Sequence, residues 1–107
     1  MTLPRVSPGV FKANGIIYVI GGYMLDQDNQ PTVLKSIERW RNSHWELLSV
    51  TLPFPLFNMG VIPVGNHVLI YGGCNHTAEN PTELMFMFRL SNGQLTFLEN
   101  LDNRIRL

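Results

Sequence analysis

The sequence predicts an all-β fold built from two copies of one four-stranded unit, and three observations lead to that prediction. A hydrophobic run that closes on Gly-Gly occurs at 16–22 and again, 51 positions later, at 67–73. No window of the chain carries a convincing helical period of apolar residues. Turn signals separate short runs of strand-forming residues along the whole chain. Self-similarity at a period near 50 is typical of stacked copies of one supersecondary unit.

The repeat extends on both sides of the paired glycines. Before them, three residues recur at the same offset of 51, namely Pro4, Gly9 and Val10 as Pro55, Gly60 and Val61. After them the offset becomes 50, so that Leu34 matches Leu84 and Arg39 matches Arg89. One residue is therefore lost just after the glycines, where we expect a loop to absorb the difference.

The first copy contains four strand-forming runs. The first two are 9–13 and 16–20, and Asn14-Gly15 lies between them. Asn-Gly between apolar runs favours a type I′ hairpin, because both residues tolerate the positive φ that this turn requires. The third and fourth strands are predicted at 34–40 and 45–50, joined by a short turn.

The second copy repeats this order with different turn residues. Gly65-Asn66 stands where Asn14-Gly15 stands in the first copy, and Ser91-Asn92-Gly93-Gln94 predicts the turn before the last strand. A four-stranded repeat of about 50 residues is typical of β-propeller blades. The predicted organisation is one blade over 1–52, a second blade over 53–101, and the start of a following blade or a tail over 102–107.

Two blades do not make a closed propeller, which holds about four to eight. The chain is therefore predicted either to be part of a longer propeller or to close a ring by self-association, for instance with three chains giving six blades. In either case we expect large aromatic residues to fill the space between neighbouring blade faces. These residues are Trp40, Trp45, Phe86, Phe88 and Phe97.

The residues around the paired glycines resemble the kelch repeat. The resemblance rests on Gly-Gly after the second strand, on the run 34–40 and on Trp45, and Pro4-Arg5 resembles the Pro-Arg that opens a kelch blade. Trp40-Arg41 stands where family members usually carry Tyr-Asp, and in the second copy Leu90-Ser91 takes that place. The resemblance covers nearly the whole chain, and it implies a fold but no catalytic residue.

Composition narrows the classes of partner. Eight basic residues balance eight acidic ones, so no net charge favours nucleic acid or an anionic membrane. The apolar runs are of strand length and the N-terminus has no signal-peptide pattern, so we expect no membrane span and a cytoplasmic location. The single cysteine, Cys74, fits a reducing compartment. His67, Cys74 and His76 are too few for a tetrahedral zinc site, so no metal or cofactor is expected.

A candidate binding face follows from the alternating strand directions. The loop before the first strand and the loop after the second strand open on the same face of a blade. The resemblance to kelch adaptors implies that a partner peptide is held there by Ser7, Tyr23, Asn58, Cys74, Asn75 and His76. This set is polar and nearly uncharged, unlike the arginine-rich pockets that capture acidic peptides.

The leading hypothesis is therefore a non-catalytic module that binds a protein or peptide. The alternative is a piece of a kelch-type enzyme, similar to galactose oxidase or to a sialic acid mutarotase. A copper oxidase of the first kind needs tyrosines and histidines that meet at the axis and a Tyr–Cys crosslink, and the sequence shows no such set. A third possibility is a degenerate repeat fragment without independent activity.

Overall fold

The structure of the protein is a computed structural model that describes residues 1–74, 85–89 and 95–98. The described residues form ten β-strands and no helix, which confirms the predicted all-β class. No helix long and apolar enough to cross a membrane is therefore present in these three segments. The predicted following blade or tail at 102–107 lies outside the described residues.

The strands form two antiparallel four-stranded sheets and one separate hairpin. The first sheet has the order β1-β2-β5-β6, with β1 Gly9–Ala13, β2 Ile16–Ile20, β5 Ser36–Arg41 and β6 His44–Thr51. The second sheet has the order β10-β9-β8-β7, with β7 Gly60–Val64, β8 His67–Tyr71, β9 Met85–Arg89 and β10 Leu95–Leu98. The hairpin consists of β3 (Tyr23–Leu25) and β4 (Pro31–Val33), which the sequence analysis did not predict.

The predicted hairpin turns have the expected backbone geometry. Asn14 and Gly15 have φ values of 53° and 79°, as a type I′ turn between β1 and β2 requires. The same geometry recurs between β5 and β6, where Asn42 and Ser43 have φ values of 55° and 65°. These turns match the right-handed twist of the strands they join, so local sequence is enough to specify both hairpins.

The strand registers correct the sequence alignment of the two copies after the glycines. Ile20 pairs with Ile37 in the first sheet, whereas Tyr71, the equivalent of Ile20, pairs with Met85 in the second. Strand β9 therefore matches β5 at an offset of 48 rather than 50. The loop after the glycines is shorter in the second copy than the sequence comparison indicated. In this register Phe88, and not Leu90, is the equivalent of Trp40.

The hydrophobic core lies between facing sides of the two sheets. On the first sheet, the Phe11 and Tyr18 rings stack across β1 and β2 with centroids 5.2 Å apart and planes at 9°. On the second sheet, Phe86 and Phe88 are almost fully buried, as predicted. The other members of the buried cluster come from both sheets and from the connection between them: Ala13, Ile20, Ile37, Leu52, Leu56, Met59, Val68 and Ile70.

Trp40 does not lie in this core, contrary to the sequence-based prediction. Its side chain is 38% exposed and packs edge-on against Trp45, with ring centroids 5.4 Å apart. Trp40 projects from β5 on the face opposite to Ile37, and the described residues place no second sheet on that face. Trp45 is half-buried in the same pair. Of the side chain of Phe97, the fifth predicted core aromatic, the structure describes nothing.

A buried ion pair fastens the N-terminal segment to the first sheet. Arg5 Nη2 lies 2.9 Å from Glu38 Oε2, and both side chains are fully shielded from solvent. Arg5 Nη1 donates to the carbonyl oxygens of Gly21 and Ser36, at 2.8 and 3.0 Å. The guanidinium therefore bridges the glycine turn, strand β5 and the residues that precede β1.

The carboxylate of Glu38 accepts hydrogen bonds from other groups besides Arg5. Burial raises the pKa of its carboxyl group, but hydrogen bonds donated by Thr2, Arg5 and the Leu3 amide outweigh that effect and lower the pKa below its usual value. A buried charge pair is tolerated when hydrogen bonds compensate the loss of water in this way.

The second copy replaces this polar arrangement with apolar packing. Leu56 is the equivalent of Arg5, and Phe86 is the equivalent of Glu38 in the corrected register. Both are almost fully buried, and the Phe86 ring lies 5.7 Å from that of Phe54. Between the two copies, both members of the ion pair are thus replaced by apolar residues. Replacing only one would leave a buried charge without its partner.

We expect Gly21→Ala to destabilise the protein more than Gly72→Ala. The two glycines have nearly the same φ, 63° and 66°, so the left-handed backbone costs an alanine about 1–2 kcal/mol at either site. A Cβ at Gly21 would also collide with the carbonyl oxygen of Leu56, whereas at Gly72 it meets no described atom within 4 Å. Urea unfolding followed by circular dichroism measures both losses. Equal losses would show that close backbone approach at Gly21 is unimportant.

We expect Glu38→Phe alone to cost about 3–5 kcal/mol, because Arg5 is left buried without a carboxylate. The double variant Arg5→Leu/Glu38→Phe should lose clearly less unfolding free energy than the sum of the two single variants. It places at both positions the residues that the second copy carries there, Leu56 and Phe86. A double-mutant cycle from chemical unfolding measures the coupling. Additive losses would mean that the two side chains do not depend on one another.

The same pair should make stability sensitive to acid. The folded-state pKa of Glu38 lies below its unfolded value near 4.5, so its contribution is complete above that pH. It is lost as the pH falls through the folded-state pKa. Comparing the slope of unfolding free energy against pH between wild type and Glu38→Gln tests this, and the variant should have the shallower slope below about pH 4.5.

Candidate functional site

The predicted loop face forms where the segment before each first strand pairs with the residue after each glycine turn. Val6 and Tyr23 exchange two backbone hydrogen bonds, of 2.8 and 3.0 Å. Phe57 and Cys74 exchange the equivalent two bonds, of 2.9 and 2.8 Å, in the second copy. The segment before the first strand and the residue after the glycine turn therefore lie side by side in each copy, as the alternating strand directions predicted.

A direct backbone contact joins the two copies at this face. The Asn58 amide donates to the carbonyl oxygen of Ser7 over 2.8 Å. Ser7 and Asn58 are equivalent residues, and both have positive φ, 52° and 59°. This conformation is uncommon for residues other than glycine. It turns the chain sharply into the following strand and leaves both polar side chains exposed.

An aromatic pair lies beside these two polar residues, since Tyr23 is bonded to Val6, which precedes Ser7, and Phe57 precedes Asn58. The ring of Tyr23 meets the ring of Phe57 edge-on, with centroids 5.2 Å apart and planes at 74°. Both side chains are half-buried, so each keeps part of its surface in solvent. We call the surface made by Ser7, Tyr23, Phe57 and Asn58 the rim. Phe57 was not among the predicted binding residues, because that set followed the positions that hold partner peptides in kelch adaptors, although the alternating strand directions also place Phe57 on this face.

The remaining predicted site residues contribute less to the described surface. Cys74 lies beside the rim through its bonds to Phe57, but its side chain is only 9% exposed. Cys74 therefore lies next to the predicted binding face, but its buried thiol is not available to contact a partner. Asn75 and His76, which the sequence analysis also assigned to the face, lie outside the described residues.

The β3–β4 hairpin extends directly from Tyr23. Its tip is ordered by Asp26, whose Oδ1 accepts hydrogen bonds from the amides of Asp28 and Gln30, each 2.8 Å long. Asn29 completes the turn with a φ of 59°. The carboxylate of Asp26 therefore has a structural task in the turn, and the exposed Leu25 beside it adds apolar surface next to the rim.

Besides the buried Arg5–Glu38 pair, two described charged pairs lie on β5 and β6, away from the rim. Arg39 Nε lies 3.0 Å and Arg41 Nε lies 3.1 Å from Glu46 Oε1, on strands β5 and β6. The hydrogen bond from Arg39 lowers the pKa of Glu46. His44 lies still farther along, in the turn between these strands at the opposite end of the sheet, with Nδ1 3.2 Å from the Asn42 carbonyl oxygen. The rim itself is built from uncharged side chains.

Comparison with known proteins identifies the fold. No protein-family model and no curated protein matches the chain. Among the solved structures that resemble it is YjhT, a kelch-type sialic acid mutarotase, with a TM-score of 0.75 and 13% sequence identity over 91% of this chain. The chain spans 38% of the length of YjhT. The likeness shows a kelch-like fold, and the two described sheets have the fold of a partial β-propeller.

Proposed function

We propose that this part of a kelch-like propeller is a non-catalytic module that binds a protein or peptide through the rim. The observation that carries the proposal is the hydrogen bond from Asn58 to Ser7, which joins the two copies into one continuous surface. The paired backbones behind that surface hold it rigid. Exposed loop residues on such a scaffold are the positions from which binding sites are most often built.

The chemistry of the rim favours an uncharged partner segment. Ser7 and Asn58 offer hydroxyl and amide groups, which donate and accept hydrogen bonds. Tyr23 and Phe57 offer partly exposed ring surface, and aromatic residues often dominate the energy of an interface. Capture of an acidic or phosphorylated peptide would require arginines, which the rim does not contain. The partner we propose is therefore a neutral peptide segment with polar and apolar side chains.

The alternative is a piece of a kelch-type enzyme, which the mutarotase activity of YjhT favours. Interconversion of sugar anomers needs side chains that accept and donate protons near neutral pH. Among the described residues the rim offers a serine, an asparagine, a tyrosine and a phenylalanine, and it contains no histidine, carboxylate or lysine, the side chains that most often carry out such proton transfer. This composition supports binding over catalysis. The discriminating assay is the rate at which the purified chain interconverts sialic acid anomers.

A cytoplasmic location belongs to the same proposal. Cys74 is buried and unpaired, which fits a compartment that keeps thiols reduced. The balance of acidic and basic residues in the sequence gives no general attraction to nucleic acid or to an anionic membrane. A specific protein partner therefore remains the favoured class.

We expect Tyr23→Ala to weaken partner binding by at least about 1 kcal/mol, or roughly fivefold, because it removes the aromatic surface of the rim. Folding should change little, since the bonds between residue 23 and Val6 are made by the backbone. Tyr23→Phe keeps the contact with Phe57 and separates the role of the hydroxyl group. His44→Ala, at the opposite end of the sheet, is the matched control and should leave binding unchanged.

The measurement is calorimetry with a partner first isolated by pull-down with the full-length protein. Loss of binding in His44→Ala with no effect in Tyr23→Ala would show that the partner binds at the opposite end of the sheet and not at the rim. Unfolding of Tyr23→Ala would instead assign Tyr23 to the core.

A further inference from the structure

Each four-stranded sheet leaves one apolar face open among the described residues. On the first sheet this face carries Val10, Ile17, Trp40 and Leu47, whose side chains are 38–56% exposed. It lies opposite to the face that presents Phe11 and Tyr18 to the core. We call it the leading face. Exposed apolar surface of this extent on neighbouring strands is typical of an interaction site.

The leading face has a buried counterpart within the same chain. Ile17 and Trp40 are 39% and 38% exposed, whereas their equivalents on the second sheet, Val68 and Phe88, are 0% and 1% exposed. Val68 and Phe88 are buried because they belong to the core formed with the first sheet. The leading face thus carries, at equivalent positions, the kind of side chains that pack against a neighbouring blade.

The second sheet shows the converse relationship. Its open face, which we call the trailing face, exposes Ile62 and Val64 by 45% and 50%. Their equivalents on the first sheet are Phe11 and Ala13, which are buried against the second sheet. The two open faces are therefore the two halves of the contact that the chain already makes between its own sheets.

On the leading face, charge does not oppose contact. Glu38 lies on the leading face but is covered by the N-terminal segment and paired with Arg5. Lys12 is the exposed cation on β1, and its equivalent in the internal contact, Pro63, remains exposed. By analogy with Pro63, the ammonium group of Lys12 would stay in water when the leading face is covered.

We propose that a second copy of this chain covers the open faces in a head-to-tail arrangement. The leading face of one copy packs on the trailing face of the next, as the first sheet packs on the second within one copy. Such a contact joins unlike surfaces, so it continues until a ring closes or a filament forms. Propeller rings hold about four to eight blades, so a ring would contain about two to four copies of a two-blade chain. This proposal does not depend on peptide binding at the rim.

The test uses one disabling substitution on each face. Ile17→Asp places a carboxylate on the leading face, and Ile62→Asp places one on the trailing face. Leu25→Asp, on the β3–β4 hairpin, adds the same charge at an exposed apolar residue outside both faces. Circular dichroism checks that each variant is folded, and Val10→Asp replaces Ile17→Asp if the latter does not fold.

Sedimentation velocity over a range of concentrations then reports the assemblies. Wild type and Leu25→Asp should associate beyond the monomer, while Ile17→Asp and Ile62→Asp should each be monomeric alone. An equimolar mixture of the last two should form a dimer and nothing larger, because only one intact pair of unlike faces remains. A monomeric wild type, a dimer of either variant alone, or a mixture that stays monomeric would each overturn the proposal. A monomeric wild type would point instead to a blade of another chain as the occupant.

Discussion

The packing of the first sheet on the second is the interaction on which the rest of the molecule depends. The stacked rings of Phe11 and Tyr18 belong to one buried cluster with Val68 and Phe88 of the second sheet. Full burial of each large apolar side chain contributes about 1.5–3 kcal/mol. Neither sheet has another layer to cover this face among the described residues, so the contact between the sheets is what makes each of them stable.

The same contact positions the candidate binding surface. It draws the connection between the sheets inward, since Leu52, Leu56 and Met59 all belong to the core. The backbone of that connection then bonds to the first copy, with the Gly22 amide donating to the carbonyl oxygen of Leu56 over 2.8 Å. Asn58 follows two residues later and reaches Ser7. The geometry of the rim is therefore a consequence of packing between blades rather than of loop sequence alone.

Two equivalent buried positions carry an ion pair in the first copy and apolar side chains in the second. The first copy places the buried Arg5 and Glu38 beside its glycine turn, and the second copy carries the buried Leu56 and Phe86 at the equivalent positions. An ion pair at this depth must be fully hydrogen-bonded, while apolar side chains need only fit. Because loss of a single partner is costly, the two residues change together. This paired change makes the copies look less alike in sequence than they are in structure.

Local signals in the sequence were sufficient for the fold class and for the positions of most strands. The turns at Asn14-Gly15 and Gly65-Asn66 predicted hairpins that the structure contains, and the repeated glycine pairs predicted two four-stranded units. The offset of β9 was predicted wrongly, because it depends on loop lengths for which the repeat carries no pattern. Trp40 was predicted to pack against a neighbouring blade, and it is exposed here because the described residues place no second sheet on its face.

For the candidate site, the sequence placed Ser7, Tyr23 and Asn58 on one face, and the structure brings them together. The sequence carried no sign of the positive φ at Ser7 and Asn58, the two residues joined by the hydrogen bond between the copies. It also gave no sign that Cys74 is buried, since that depends on pairing with Phe57 across the sheet edge. Turns can be predicted from local sequence, whereas contacts between the copies can be found only once the three-dimensional arrangement is known.

Native-state hydrogen exchange tests most directly whether the two blades depend on each other. The amides of Tyr18–Ile20 in β2 and of Val68–Ile70 in β8 lie at the centres of the two sheets. If packing between the sheets stabilises both, these amides should exchange with the same free energy of opening, and denaturant should lower both values with the same slope. Exchange of the β8 amides at a clearly lower free energy, while those of β2 stay protected, would mean that the first blade is stable without the second and would contradict the account.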